Sequence, residues 1–167
     1  MGTGRSGRVV VGVGGSAASL GALRVAAAEA GRSGRALVVV LAWEPPEGEG
    51  LYRRWPDPQW ARHWYGEARR ELARAVSRAL GGVPEGLDVE LRVVRERPAP
   101  ALLSFADQPD DLLVVGVRPR RLRRGRVVRG VRRGAVCPVL TVPLRVVPRA
   151  ELRALRRATP SDFDLSH

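Results

Sequence analysis

The sequence predicts an α/β domain built on a five-stranded parallel sheet with helices on both faces. Three observations lead there. Five short apolar runs alternate with helical segments along the chain. The best of them are apolar at every position rather than at every second one, as strands covered on both faces must be. And 167 residues is the length of one ordinary domain with a real core. Strands separated by helices are joined by crossovers, so they lie parallel.

The first strand is Val9–Val13, β-branched except at Gly12. It runs into the loop Gly12–Ser16, and Ala17–Ala30 then places Leu20, Leu23 and Ala27 at helical spacing. Ser16 stands where an N-cap belongs. Ala36–Trp43 is the second strand, apolar on both faces. Glu44–Pro58 carries several prolines and glycines and reads as a loop. Gln59–Leu80 is helical, with Trp60, Trp64, Ala68, Leu72, Ala75 and Ala79 on one stripe expected to face the core. After a turn at Gly81–Gly86 comes the third strand, Leu87–Val94. A short helix follows at Pro98–Ala106, with proline in its first turn, where a missing N–H costs nothing. Asp111–Gly116 and Val139–Pro143 are the fourth and fifth strands, with a short helix, Gly125–Gly134, between them. The expected organisation is a domain over residues 1–147 and an extension over 148–167.

Charge and cysteine content narrow the function classes. The net charge is +12, carried entirely by arginine; lysine, isoleucine and asparagine are absent. Those three share AT-rich codons, so a GC-rich genome accounts for the choice of arginine but not for the excess. Residues 118–133 hold nine arginines and no acid. That segment has no interleaved aromatics for base stacking and matches no nucleic-acid module, so nucleic acid is not an expected partner. The longest apolar runs fall far short of the roughly 20 residues a bilayer span needs. The N-terminal residues lack a signal peptide's apolar stretch, so a cytoplasmic protein without membrane contact is expected.

One cysteine, Cys137, builds neither a disulfide framework nor a metal cluster and reads as a small buried hydrophobe. His63 and His167 have no partners at metal-ligand spacing, and no metal site is expected. No Ser/His/Asp set, carboxylate pair or Cys/His nucleophile can be assembled, so catalysis is not expected. Gly12-Val-Gly-Gly-Ser-Ala17 fits the loose dinucleotide fingerprint, but the acid about 20 positions later is missing, which argues against NAD or FAD. In such sheets ligands bind beyond the carboxyl ends of the strands. The loops at issue are therefore Gly12–Ser16, Trp43–Pro46 and Gly116–Gly125.

Three stretches together resemble the universal stress protein family. Val9-Val-Val-Gly-Val-Gly-Gly-Ser16 with Leu20-Gly-Ala-Leu23 is similar to its opening strand, loop and helix. Val93–Leu103, with Arg97-Pro98-Ala99, is similar to the segment ahead of its fourth strand. Asp111-Leu-Leu-Val-Val-Gly116 followed by Cys137-Pro-Val-Leu-Thr-Val-Pro143 is the most specific match. The resemblance implies a doubly wound sheet in strand order 3-2-1-4-5. It also implies a homodimer through the last strand, and ATP as the candidate ligand.

ATP-binding members carry Gly-x-x-Gly, nine residues, then Gly-Ser or Gly-Thr. Glycines let the backbone approach phosphates, the hydroxyl adds a donor, and the following helix contributes its N-terminal dipole. Gly116 matches the first glycine, while Pro119 stands at the second. Alignment without a gap from Cys137 places the final pair at Gly125-Arg126 and leaves five residues, Arg120–Arg124, in the loop. The alternative, Gly130-Val131, keeps the loop length and shortens the helix. Either way the hydroxyl is missing. The family's aspartate two residues before the serine is Gly14 here.

The nucleotide residues implied are Gly12, Val13, Gly14, Ser16, Ala42, Gly116, Arg118, Gly125, Arg126 and Val127. The resulting expectation is a dimeric stress-response regulator with an impaired ATP loop and an unidentified protein partner. The alternatives left open are an ATP-binding protein whose loop arginines hold the phosphates, and a polyanion-binding module. A slow ATPase is a weaker third.

Overall fold

Residues 7–46, 48–118 and 125–144 are described by the computed structural model. Five strands, β1 (Val9–Val13), β2 (Leu37–Trp43), β3 (Val89–Arg95), β4 (Leu112–Val117) and β5 (Val139–Pro143), form one sheet in the order β3-β2-β1-β4-β5. Every neighbouring pair is parallel. Both the doubly wound class and the strand order are those expected. Five helices connect the strands: α1 (Ala17–Ser33), α2 (Glu49–Arg54), α3 (Pro58–Leu80), α4 (Pro98–Phe105) and α5 (Arg126–Gly134).

The apolar strands divide their side chains between two cores by simple alternation. Val9, Val11 and Val13 of β1, with Leu37, Val39 and Leu41 of β2, pack against α1 and α3. Val10, Val38, Val40, Leu113, Val115 and Val117 face the opposite side, where Ala101, Leu102, Val128 and Val131 of α4 and α5 cover them. Each such valine or leucine contributes about 1.5–3 kcal/mol when fully buried. The two sheet edges differ. β3 carries Glu90, Arg92 and Arg95, charges that discourage pairing with another strand. β5 carries none, and its Leu140 is exposed.

Two expectations are corrected. Glu44–Pro58 is not all loop, because Glu49–Arg54 forms α2. That helix buries no residue of its own; it is held by the Arg95 guanidinium, which pairs with Glu49 at 2.9 Å and lies 3.9 Å over the Tyr52 ring. Trp60 does not face the core: it is 51% exposed, whereas Ala68, Leu72 and Ala75 further along the stripe are buried. Pro119–Arg124 and the extension over 148–167 lie outside the described residues. Among the described residues no helix is long and apolar enough to cross a membrane.

Candidate functional site

Two adjoining cavities open where β1 and β4 end, and the polypeptide builds their walls for identifiable reasons. β1 turns into α1 through Gly14 and Gly15, the latter at φ 69°, a left-handed conformation that glycine adopts without strain. Ser16 then caps α1: its Oγ accepts from the Ser19 N–H at 3.2 Å. The Ser19 hydroxyl donates to the Ser16 carbonyl at 2.8 Å and accepts from the Gly14 N–H at 3.3 Å, so the turn is closed by its own side chains. Across the cleft, Gly116 of β4 lies directly beneath the first turn of α1. A Cβ there would stand 2.2 Å from the Ala18 carbonyl oxygen. Packing alone therefore demands glycine at 116.

The first cavity, about 200 Å³, is mostly apolar and is lined by Gly12, Val13, Gly14, Ser19, Val40, Ala42, Pro98, Leu102, Val115, Gly116 and Val127. Small-molecule sites usually span roughly 300–1,000 Å³. This one suits a flat ring system and not a whole nucleotide. The second cavity shares Gly116 and Val127 with the first and adds Ser16, Arg118, Gly125, Arg126 and Arg129. Its floor is the N-terminus of α5. Gly125 is the N-cap and offers no side chain; the first helical bond runs from the Arg129 N–H to the Gly125 carbonyl at 3.0 Å. The N–H groups of Arg126, Val127 and Val128 consequently have no partner within the helix. α5 is seated on α4 by close approach, Gly130 against Ala99 and Gly134 against Leu103.

A family model described as the universal stress protein family matches residues 6–143. The chain belongs to the universal stress protein family. Among solved structures, one universal stress protein in complex with cAMP is 25% identical, with a TM-score of 0.60 over 84% of this chain and 99% of that one. The Archaeoglobus fulgidus universal stress protein in complex with dAMP is 27% identical, with a TM-score of 0.58 over 83% and 98% of the two chains. A family member from Burkholderia pseudomallei is 26% identical, with a TM-score of 0.58 over 86% and 99%. No curated protein matches the chain significantly.

In this universal stress protein the two cavities gather all ten residues singled out in the sequence. Gly12, Val13, Gly14, Ala42, Gly116 and Val127 line the apolar cavity; Ser16, Arg118, Gly125 and Arg126 line the polar one. Helix α5 begins at Arg126, so Gly125-Arg126 sits at its N-terminus and Gly130-Val131 in its second turn. Sequence reading missed Val40, Pro98, Leu102, Val115, Ser19 and Arg129. Two of these had a signal: Val40 shares a sheet face with Ala42, two residues on, and Arg129 follows Arg126 by one helical turn. Pro98 and Leu102 reach the cavity only because α4 packs across β1 and β2, which no local pattern announces.

Away from the cleft, Asp111 is the one buried carboxylate among the described residues, at 1% exposure. It accepts from the Arg8 N–H at 2.7 Å, from the Gln108 N–H at 3.1 Å and from the Arg8 guanidinium at 3.3 Å. Burial alone would raise its pKa, but these donors outweigh burial and hold it below the usual carboxylate range. Cys137 is buried, its Sγ 3.9 Å from the Ala106 carbonyl oxygen. Burial, aided by the charge of Asp111, pushes its thiol upward, away from reactive thiolate character. Among the described residues no group of three or more His, Cys, Asp or Glu side chains is placed to hold a metal.

Proposed function

We propose that this protein is a homodimeric, cytoplasmic stress-response regulator that keeps an adenine slot but binds ATP poorly. The observation that carries the reading is the make-up of the polar cavity. It offers the bare N–H groups of α5 but no hydroxyl at the start of that helix, since Arg126 occupies the position where ATP-binding members have Ser or Thr. The first loop brings no carboxylate either, because Gly14 stands in the aspartate position, and Pro119 removes an N–H from the loop between them. Relatives solved with cAMP and dAMP hold adenine nucleotides with a single phosphate, which calls on fewer of the missing donors. The uncharged β5 edge with exposed Leu140, opposite the charged β3 edge, supports pairing of two copies through the last strand.

A second reading draws on Arg118 and Arg126, both lining the polar cavity, as a forked clamp that replaces the lost donors. The two readings separate on a nucleotide series. Equilibrium dialysis with labelled AMP, ADP and ATP is expected to give weak binding that hardly changes with phosphate number. Affinity that rises steeply from AMP to ATP and falls with added salt would establish the clamp instead.

A further inference from the structure

The net charge of this protein is confined to one stretch of chain. Residues 1–117 carry 15 arginines against 14 acids, residues 118–157 carry 14 arginines against one glutamate, and residues 158–167 carry two aspartates. The described part of the basic stretch is Arg118 at the end of β4 and helix α5. In α5, Val128 and Val131 are buried in the core, while Arg126, Arg129, Arg132 and Arg133 are exposed, as is Arg118. Arg132 and Arg133 lie clear of both cavities, and Arg118, Arg126 and Arg129 stand at the rim of the polar one.

Of the fourteen arginines described over residues 7–117, six are paired with acids: Arg8, Arg32, Arg70, Arg74, Arg92 and Arg95. None of the five exposed arginines of the basic stretch pairs with a carboxylate among the described residues. A row of unneutralised charges over about 10 Å of helix, from Arg126 to Arg133, destabilises its own fold by mutual repulsion. An anionic polymer would relieve that repulsion.

We infer that the outer face of α5, continued by Arg118, binds the phosphate backbone of duplex nucleic acid without reading its sequence. The missing aromatics and the missing recognition module, which argued against nucleic acid, bear on base stacking and base reading; neither bears on contacts to phosphate. Stacking on single strands is excluded from this face, since the exposed tryptophans, Trp55 and Trp60, lie on the α2–α3 segment. Insertion into a membrane surface needs an outward apolar face, and the valines of α5 that could form one are spent on the core. Arginine suits the role chemically because its fork donates two parallel hydrogen bonds to a phosphate.

The test is fluorescence anisotropy with a labelled random-sequence DNA duplex, titrated across salt with the full chain. Five phosphate contacts give a log–log salt slope of about −4.5, or roughly a 500-fold loss of affinity between about 50 and 200 mM salt. R132Q/R133Q, whose residues line neither cavity, is expected to weaken binding and bring the slope to about −2.7. R132K/R133K, which keeps the charge, is expected to restore the slope, and circular dichroism confirms that each variant is folded.

Absence of duplex binding at low salt, or identical slopes for R132Q/R133Q and the parent, overturns the proposal. Tighter binding to a single strand of equal length overturns it in favour of stacking. Binding to phosphatidylserine vesicles without binding to the duplex overturns it in favour of a membrane surface. Displacement of the duplex by ATP together with an unchanged slope for R132Q/R133Q would locate the contact in the nucleotide cleft alone and equally overturn it, since Arg118, Arg126 and Arg129 also line that cleft.

Discussion

Substituting Gly116 by alanine probes the joint on which the whole cleft depends. The added Cβ would meet the Ala18 carbonyl oxygen at 2.2 Å, its carbon at 2.4 Å and the Ser19 nitrogen at 2.8 Å. All three are backbone atoms of the first turn of α1, so no side chain can swing aside. Helix α1 must instead lift by about 1 Å. Overpacking of this kind costs about 1–3 kcal/mol. Lifting the first turn also loosens the Ser16 cap, worth about 1 kcal/mol. The sum, roughly 2–4 kcal/mol, corresponds to a fall in Tm of about 5–15 °C for a chain of this size.

The matched control is Gly14→Ala, two residues before the cap. Nothing lies within 4 Å of a Cβ at Gly14, and its φ is not positive. That substitution is expected to be neutral or to stabilise by about 0.4–1 kcal/mol through the unfolded state. Urea and thermal unfolding of both variants measure the difference. A Gly116→Ala protein within about 0.5 kcal/mol of the parent, or a Gly14→Ala protein damaged as badly, would refute the packing argument.

Two further predictions concern the carboxylate core and assembly. Asp111→Asn is expected to cost about 1.5–3 kcal/mol, the range for hydrogen bonds to a charged group. Because the folded-state pKa of Asp111 is lowered, its contribution is full above the unfolded value near pH 4 and is lost as pH falls through the folded value. The parent should therefore lose stability in acid more steeply than Asp111→Asn, and equal acid slopes in urea titrations would contradict this. Light scattering at micromolar concentration should return twice the 18.1 kDa chain mass, and Leu140→Arg should shift it towards the monomer. A monomeric parent would rule out pairing through β5.

The strands were legible because a parallel sheet covered on both faces asks for near-continuous apolar runs rich in valine, and Val9–Val13 and Leu37–Leu41 supply them. The first loop was legible for a similar reason: glycines and a capping serine between a strand and a helix leave few alternatives. What stayed hidden depends on partners distant in sequence. α2 holds its place through Arg95, 46 residues from Glu49, on a six-residue segment with no buried face of its own. Asp111 read as the start of a strand, yet its carboxylate is fixed by Arg8, 103 residues away. The tryptophan stripe misled because helical spacing says which residues share a face, not how far the face stays covered. α3 has 23 residues, about 35 Å of helix, while the longest strands have seven, about 23 Å, so the turn bearing Trp60 projects past the sheet.

The central claim, a retained adenine slot with a weakened phosphate end, is tested most directly by titrating ATP into the parent protein beside Pro119→Gly/Arg126→Ser. The three altered positions, Gly14, Pro119 and Arg126, forgo donors or acceptors worth about 0.5–1.5 kcal/mol each, roughly a ten- to thousand-fold loss in all. The loop of five residues between Pro119 and Gly125 is also short for wrapping a triphosphate. The parent is therefore predicted to bind ATP more weakly than micromolar, and the double variant to recover only part of the loss. Micromolar binding of ATP by the parent would contradict the account.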